Sequence, residues 1–216
     1  MINIYKKPCN ELEISKKDIE IYLGYYGIKP DSSTDSMIEE CISEFNEKVV
    51  FRACFTVLPV EFESKISLGN LDFCSNSLKK NLDGCEKAYL FAATAGSESQ
   101  RIIAKNSVIS PLRGIVFDCV GSAAIEAFCD KFNSEFENRD FLRPRFSPGY
   151  GDLPLECQKQ LLGLLDAKKN IGLSLNESLM MSPSKSVTAI IGIGKDKNKC
   201  NGPGCMICKA ENCPYR

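Results

Sequence analysis

"VVFRACFTVLPVEF", residues 49–62, is rich in β-branched and aromatic residues and predicts one long strand. "AYLFAAT", residues 88–94, and "SVTAIIGIG", residues 186–194, predict two further strands that are apolar along most of their length. "SKISLGN", residues 64–70, predicts a continuation of the sheet, and "IGLSL", residues 171–175, predicts another short strand. The chain therefore contains enough strand signals for one sizeable sheet.

Helical signals lie between these strands. Ser15 is placed to cap a helix through residues 16–27, and the polar stretch "DSSTD", residues 31–35, precedes a second helix. Further helices are predicted around residues 76–82, from residue 96, over residues 112–136 and over residues 153–167. Strands and helices follow in mixed order rather than in strict alternation. We therefore predict an α+β fold around a mainly antiparallel sheet.

Composition and charge exclude several classes of function. The 216 residues carry 27 Lys and Arg against 28 Asp and Glu, so the charge gives no reason to expect nucleic acid as a partner. No apolar run reaches the roughly 20 residues that a bilayer span needs, so no membrane is expected. The first residues lack the pattern of a secretion signal, and we expect a cytoplasmic protein. With no histidine in the chain, Ser–His and Cys–His nucleophile pairs and His-ligated metals are excluded.

The stretch "RFSPGYGD", residues 145–152, combines a cation, a tight turn and a phenol. Pro148 and Gly149 suit the two central positions of a type II turn. The guanidinium of Arg145 suits a carboxylate or phosphate, and Tyr150 offers a hydroxyl and a ring face. Such a loop fits a ligand with an anionic end and an aromatic or cationic part. The alternative is a surface turn in which Arg145 pairs with Asp140 or Asp152 and Tyr150 joins the core.

Two motifs in this region, in the right order, give a resemblance to a known family. R-x-x-P-G-Y at residues 145–150 is followed by "LLDAKKNIGLSL", residues 164–175, and by "NESLMMSPSKSV", residues 176–187. The stretch 145–194 resembles the reactivation domain of cobalamin-dependent methionine synthase, with weaker similarity back to about residue 70. The resemblance implies an α+β fold with a twisted antiparallel sheet and flanking helices over residues 1–194.

The resemblance also implies a ligand site for S-adenosylmethionine. Arg145 would hold the ligand's carboxylate, and the backbone at Phe146 would meet its adenine or amino group. Tyr150 would lie against the ligand, in a turn formed by Pro148 and Gly149 that lets the backbone approach closely. The larger synthases have an acidic residue just before the arginine. This chain has Arg139 at that offset, with Asp140 or Glu137 as the available substitutes.

The second motif, "SPSKSV" at residues 182–187, has two interpretations. Its hydroxyls, Ser184 and Ser186, are candidates for contacts with the ligand or with the corrinoid. A turn that leads into a strand is an equally good account of the same residues.

The function that the resemblance implies is reactivation of an oxidised cofactor. Cob(II)alamin would be methylated from S-adenosylmethionine with one electron, which makes the chain a component of a methyltransferase system in methionine biosynthesis. We expect a standalone protein whose partners are a cobalamin-dependent methionine synthase lacking its own activation domain and an electron donor of flavodoxin or ferredoxin type. Two alternatives stay open: an iron–sulfur redox protein that reduces another corrinoid protein, and a ligand-free interaction module of the same fold.

The last residues, 195–216, change in character and contain four of the twelve cysteines. Cys200, Cys205, Cys208 and Cys213 form C-x4-C-x2-C-x4-C, which predicts a metal-binding tail. Four thiolates suit tetrahedral zinc or an iron–sulfur cluster equally by number. The need for an electron favours [4Fe–4S], with zinc as the alternative, and a disordered tail with free thiols is the third interpretation. The other eight cysteines are expected to be reduced and to act as small apolar residues.

Overall fold

The computed structural model describes residues 1–137 and 141–195. Its elements in chain order are β1 (Asn3–Pro8), a 3-10 turn (Cys9–Glu11), α1 (Lys16–Tyr22), α2 (Ser32–Lys48), β2 (Val50–Phe62), β3 (Ile66–Leu68), β4 (Leu71–Phe73), α3 (Asn76–Asn81), β5 (Lys87–Thr94), α4 (Gly96–Ile109), α5 (Pro111–Glu137), β6 (Phe141–Leu142), α6 (Cys157–Leu164), α7 (Ala167–Ile171), β7 (Ser174–Leu175), β8 (Met181–Ser182) and β9 (Ser186–Gly194). The predicted α+β class is confirmed.

The main sheet is antiparallel in every pair of neighbouring strands. Its order is β4-β3-β2-β5-β9-β6, and β1 also pairs with β2. The long strand β2 is central because it pairs with β5 along one edge and with both β1 and β3 along the other. β7 and β8 form a separate two-stranded sheet.

Helices cover both faces of the sheet, which explains the almost continuously apolar strand β5. On one face, Tyr89 and Phe91 pack with side chains of α1, α2, α4 and α5. On the other face, Leu90 and Ala92 pack with side chains of α3, α6 and α7. Because successive strand residues point to opposite faces, a strand buried on both sides loses the usual alternation of polar and apolar residues.

Side-chain caps define the first turns of three helices. Ser15 Oγ accepts the backbone N–H of Asp18, and Ser75 Oγ accepts that of Leu78. Asp31 accepts the backbone N–H groups of Ser33 and Thr34, so the second helix begins inside the stretch expected to be a loop. Each of these side chains satisfies an N–H that has no partner within its own helix.

Three expectations were wrong in detail. The helix expected through residues 16–27 ends at Tyr22. The helix expected over residues 153–167 is two shorter helices, α6 and α7, separated at Asp166, which has a positive φ of 44°. The strand expected over 171–175 is reduced to Ser174–Leu175, because Ile171 ends α7 and Gly172, with φ of 74°, caps it. A positive φ interrupts a regular helix, and here it redirects the chain.

Six of the eight scattered cysteines are buried, which agrees with their expected role as small apolar residues: Cys9, Cys41, Cys54, Cys85, Cys119 and Cys129. Burial raises the pKa of the thiols of Cys9, Cys54 and Cys129 to about 12. A thiol with so high a pKa carries almost no thiolate at neutral pH and is a poor nucleophile. These cysteines therefore contribute packing rather than chemistry.

In the two described ranges, no helix is both long enough and apolar enough to cross a bilayer. β9 ends at Gly194, where the sequence predicts a boundary between the main domain and the tail. The division into residues 1–194 and 195–216 stays a prediction.

Candidate functional site

A polar stripe runs along the long helix α5. Asp118, Ser122, Glu126 and Asp130 recur at every fourth position in a helix whose other faces are largely buried. Residues four apart lie on the same face of a helix, one turn above the other. The stripe therefore presents three carboxylates and a hydroxyl in one line at the surface of the domain.

The loop at residues 145–152, here the arginine loop, has the turn that the sequence predicts. The N–H of Tyr150 donates to the carbonyl of Ser147 at 3.1 Å, and Gly149 has φ of 90°. A type II turn requires this positive φ at its third residue, and glycine adopts it without strain. The loop is anchored to the sheet, since Phe146 pairs with Ile190 of β9 through two backbone hydrogen bonds of 2.8 and 3.0 Å.

Arg145 reaches from this loop to the polar stripe. Its Nη2 donates to Glu126 Oε2 at 2.8 Å, and its Nη1 donates to Asp130 Oδ1 at 2.8 Å. Only 17% of the side chain is exposed. Burial alone would lower the pKa of the guanidinium, but the carboxylates of Asp130 and Glu126 that pair with it raise the pKa above its ordinary value. The guanidinium is therefore fixed against Glu126 and Asp130, which form the second half of the stripe.

Lys185 reaches the first half of the stripe from the other motif. It lies in the segment 182–187, here the lysine loop, which connects β8 to β9 and includes the residues where they meet the connection. Its Nζ is 2.8 Å from Asp118 Oδ1 and 2.9 Å from Ser122 Oγ. The two sequence motifs thus meet one helical face, each through a single cation.

A cleft of about 390 Å³ opens where the lysine loop faces α5. Its walls include Asp118, Ser122 and Glu126 of the stripe, the loop residues 184–187, and Tyr22 at the end of α1. The cleft therefore combines both signs of charge with hydroxyl groups and an aromatic ring. Glu126 links it directly to Arg145, whereas the residues that line it do not include Arg145 or Tyr150.

Four further residues of the arginine loop were predicted to contact the ligand, and their surroundings differ. The N–H and C=O of Phe146 are both paired with Ile190, so a ligand would have to share them. Tyr150 is 61% exposed, with its ring 6.4 Å from that of Phe146. Pro148 and Gly149 form the turn but do not line the cleft. The direct ligand contacts assigned to these four residues and to Arg145 stay predictions.

The two serines of the lysine loop differ in their surroundings. Ser184 is exposed and lines the cleft. Ser186 Oγ lies 2.8 Å from both Thr94 Oγ1 and the carbonyl of Pro183, which ties the loop to the end of β5. Ser184 is therefore free to meet a ligand without disturbing the loop, whereas Ser186 already holds the loop in place.

Five predicted site residues lie outside the described residues: Asp140 and the four cysteines of the tail, Cys200, Cys205, Cys208 and Cys213. Within residues 1–137 and 141–195, no group of three or more Cys, Asp or Glu side chains is arranged to hold a metal ion. The predicted metal site in the tail stays a prediction.

The surface-turn interpretation named Asp152 as a partner of Arg145 and placed Tyr150 in the core, and the structure contradicts both points. Asp152 instead caps α3, accepting the hydroxyl of Ser75 at 2.5 Å and the N–H groups of Asn76 and Ser77 at 2.7 and 3.0 Å. These hydrogen bonds, from the Ser75 hydroxyl first and then from the two amides, hold the pKa of the Asp152 carboxyl far below its ordinary value.

We expect Asp152→Ala to lower the melting temperature at pH 7, with the difference from wild type shrinking in acid. A carboxyl whose pKa is depressed in the folded state stabilises the protein above its unfolded pKa of about 4, and this contribution is lost as the pH falls below that value. Thermal unfolding followed by circular dichroism between pH 7 and pH 3 measures the difference. Asp72→Ala is the control, because Asp72 accepts a single hydroxyl, from Ser67. A difference that stays constant with pH would contradict the role of the ionised cap.

Asp118, Ser122, Glu126, Asp130 and Lys185 are site residues that the sequence analysis did not select. A signal was present, since polar residues at every fourth position stand out in the otherwise apolar stretch 114–130 of this helix. The partners of the stripe lie 15 to 67 residues away in the chain, beyond any local pattern.

Comparison with solved structures gives a similar fold. The chain matches the crystal structure of the MetH reactivation domain bound to AdoHcy with a TM-score of 0.69, over 91% of this chain and 79% of that one. The sequence identity is 12%, so this likeness shows the fold alone. No curated protein sequence matches the chain.

A family model matches residues 90–199, just over half of the chain, and it describes the activation domain of vitamin B12 dependent methionine synthase. The matched residues run from strand β5 through the polar stripe, the arginine loop and the lysine loop, and so include most of the site. This chain belongs to the family of vitamin B12 dependent methionine synthase activation domains.

Proposed function

We propose that this chain binds S-adenosylmethionine in the cleft beside the polar stripe and presents it to a cobalamin-carrying methionine synthase. One observation carries the proposal: two loops, each containing one of the family's motifs, converge on a single face of α5. Arg145 and Lys185 are spaced along that face, with the cleft between the lysine loop and Glu126. The structural neighbour binds AdoHcy, the demethylated form of the proposed ligand.

The size and chemistry of the cleft support this ligand. About 390 Å³ lies within the range of roughly 300–1,000 Å³ that is usual for small-molecule sites. S-adenosylmethionine carries a carboxylate, an ammonium, a sulfonium, ribose hydroxyls and an adenine ring. The cleft offers one lysine, two carboxylates, three serine hydroxyls and the ring of Tyr22. Each polar part of the ligand has a group of complementary character available.

The chemistry needs little from the protein beyond placement. Cobalamin, brought by the partner, supplies the metal centre that accepts the methyl group, and an external donor of flavodoxin or ferredoxin type supplies one electron. The methyl group leaves the sulfonium, and AdoHcy remains. The side chains of the cleft bind and orient the sulfonium, and no acid or base is required of them. A site without histidine is compatible with this reaction.

In this proposal Arg145 contributes indirectly, by holding two carboxylates of the polar stripe in place. By occupying Asp130 and one oxygen of Glu126, it holds the second half of the stripe in a fixed geometry at the edge of the cleft. The predicted contact with the ligand's carboxylate would require the guanidinium to change partners. The standalone role and the zinc or [4Fe–4S] site in the tail rest on the sequence alone and stay predictions.

The test is calorimetric titration of the full chain with S-adenosylmethionine. We expect binding to wild type and about tenfold weaker binding to Arg145→Ala, because Glu126 in the wall of the cleft then loses the charged hydrogen bond that fixes it, and such a loss costs about 1.5–3 kcal/mol. Arg101→Ala is the matched control, since Arg101 forms an exposed ion pair with Glu98 on α4, outside the cleft. Absence of binding to wild type would contradict the proposed function. Unchanged binding to Arg145→Ala would contradict only the part assigned to that residue.

A further inference from the structure

Two of the eight cysteines within the described residues are not buried, Cys74 and Cys157. Cys74 is exposed between β4 and α3, and Cys157 is half-buried at the first residue of α6. The other six are enclosed in the core, where a small molecule does not reach them. Any thiol chemistry of residues 1–137 and 141–195 therefore begins with these two side chains.

The segments that carry the two thiols are fixed to each other by the side chain of Asp152. Its carboxylate accepts the hydroxyl of Ser75, the residue that follows Cys74, at 2.5 Å. It also accepts the backbone N–H groups of Asn76 and Ser77 at 2.7 and 3.0 Å. Because Asp152 is the last residue of the arginine loop, these three hydrogen bonds hold the end of that loop against the residues beside Cys74.

Cys157 lies one short turn beyond Asp152. Its N–H donates to the carbonyl of Pro154 at 3.2 Å, at the start of α6. Its side chain packs against the same core cluster as Phe73, the residue before Cys74. The hydrogen bonds of Asp152 and this shared packing bring the two thiols to one region of the surface, within electrostatic reach of each other.

Cys74 is open to small molecules through a second cleft, of about 240 Å³, which contains none of the residues of the polar stripe. The walls of the second cleft carry both signs of charge, from Lys65 and Lys79 and from Glu63 and Asp152. A small disulfide with amino-acid ends, such as glutathione disulfide, carries both ammonium and carboxylate groups. The charges around Cys74 therefore suit the approach of such a molecule.

We propose that Cys74 and Cys157 are a thiol pair that a small disulfide oxidises to an internal disulfide. The thiolate of Cys74 attacks one sulfur of the small disulfide, which forms a mixed disulfide and releases one small thiolate. The thiolate of Cys157 then attacks the Cys74 sulfur, forms the internal bond and releases the second small thiolate. The two cysteines lose two electrons and two protons, and the small disulfide is reduced to two thiols.

Exposure determines the order of the two steps. Cys74 meets the small disulfide first because it lies in the second cleft, whereas burial, followed by the charges of Glu156 and Cys74, raises the pKa of the Cys157 thiol. A raised pKa lowers the fraction of thiolate and so slows attack on a disulfide in solution. Attack on the neighbouring Cys74 sulfur is intramolecular, and this proximity compensates for the small fraction of thiolate.

The internal disulfide would fix the end of the arginine loop, because it links the start of α6 to the segment before α3 on either side of the hydrogen bonds of Asp152. A cross-link between positions 83 residues apart also restricts the unfolded chain. This stabilises the protein if the bond fits the native backbone without strain. We therefore expect the oxidised protein to melt about 5–15 °C above the reduced protein.

The experiment treats the reduced full chain with glutathione disulfide, blocks the remaining thiols and maps tryptic peptides by mass spectrometry. We expect the peptides 66–79 and 146–159, which contain Cys74 and Cys157, to be joined, with a mass two hydrogen atoms below their sum. In Cys157→Ser, Cys74 should carry glutathione instead, because the second thiol is absent. In Cys74→Ser, the joined peptides should not form. The buried thiols of Cys41 and Cys54 are the internal control and should stay unmodified.

Three results would overturn the thiol pair: a wild type in which Cys74 is unmodified, one in which Cys74 keeps glutathione, and one in which either peptide is joined to another cysteine of the chain. Thermal unfolding of the oxidised and reduced full chain is the second measurement. A melting temperature that does not rise would contradict a bond that fits the native fold, and Cys157→Ser after the same treatment should show no rise. None of these results depends on the binding of S-adenosylmethionine.

Discussion

Replacing Phe132 by alanine should lower the free energy of unfolding by about 3–5 kcal/mol, the usual cost of truncating a buried aromatic residue. Phe132 is fully buried on α5 at the centre of an aromatic cluster beneath the sheet. Its ring centroid lies 4.4 Å from that of Phe136, 4.7 Å from Phe91 and 5.0 Å from Phe55. Alanine would leave a cavity that the surrounding strands β1, β2 and β5 cannot close without moving.

Urea denaturation followed by circular dichroism measures this change. We expect a lower urea concentration at the midpoint of unfolding, with the dependence of the unfolding free energy on urea unchanged. For a chain of this size the same loss lowers the melting temperature by about 2–4 °C for each kcal/mol. Phe62→Ala is the matched control, because Phe62 lies at the exposed end of β2. We expect the control to change stability by less than about 1 kcal/mol, since surface substitutions usually have small effects. Similar losses in the two variants would contradict the central role of the cluster.

The aromatic cluster also bears on the site, because it anchors the helix that carries the polar stripe. Phe128 and Phe132 point into the core from the same turns that place Glu126 and Asp130 at the surface. One helix therefore holds the apolar anchor on one face and the charged groups on another. The arginine loop and the lysine loop need only reach that face for the site to form.

Much of the fold followed from local chemistry. The β-branched and aromatic run of residues 49–62 contains β2, and Ser15 caps the helix that it was expected to cap. β1 was not predicted, because Asn3–Pro8 contains two lysines and a proline in six residues and becomes a strand only through pairing with β2. Tertiary pairing supplies what the local pattern of such a segment does not.

Only part of the candidate site could be predicted from the sequence, because one part is formed by neighbouring residues and the other by residues far apart in the chain. The Pro148–Gly149 turn is local, and its geometry followed from the two residues that form it. The surface-turn interpretation expected the partners of Arg145 among nearby aspartates, but they come from α5, about two to three helical turns before its end. Lys185 meets Asp118 across 67 residues of chain. Such contacts are set by how β9 and α5 pack against the sheet, and no spacing rule encodes them.

Replacing Gly114 by alanine should also destabilise the protein strongly, by about 3 kcal/mol, at the upper end of the usual cost of overpacking. Gly114 lies in the first turns of α5, where α4 crosses closely. A Cβ at this position would come within 2.6 Å of the Cα of Ser107 on α4, so backbone rather than a flexible side chain would have to move. Pushing α5 away from α4 would strain the helix one turn before Asp118.

The matched control is Gly163→Ala in α6, another helical glycine, where an added Cβ meets nothing within 4 Å. There the same substitution should stabilise the protein by about 0.5–1 kcal/mol, because alanine loses less conformational entropy than glycine when it enters a helix. Urea denaturation of both variants decides the matter, since helix propensity alone predicts a gain in each case. A loss of stability in Gly114→Ala together with a gain in Gly163→Ala would show that the close contact of α4 and α5 determines the outcome at position 114. A gain in both would mean that the two helices separate at little cost, and that the packing holding the polar stripe in place is looser than the geometry indicates.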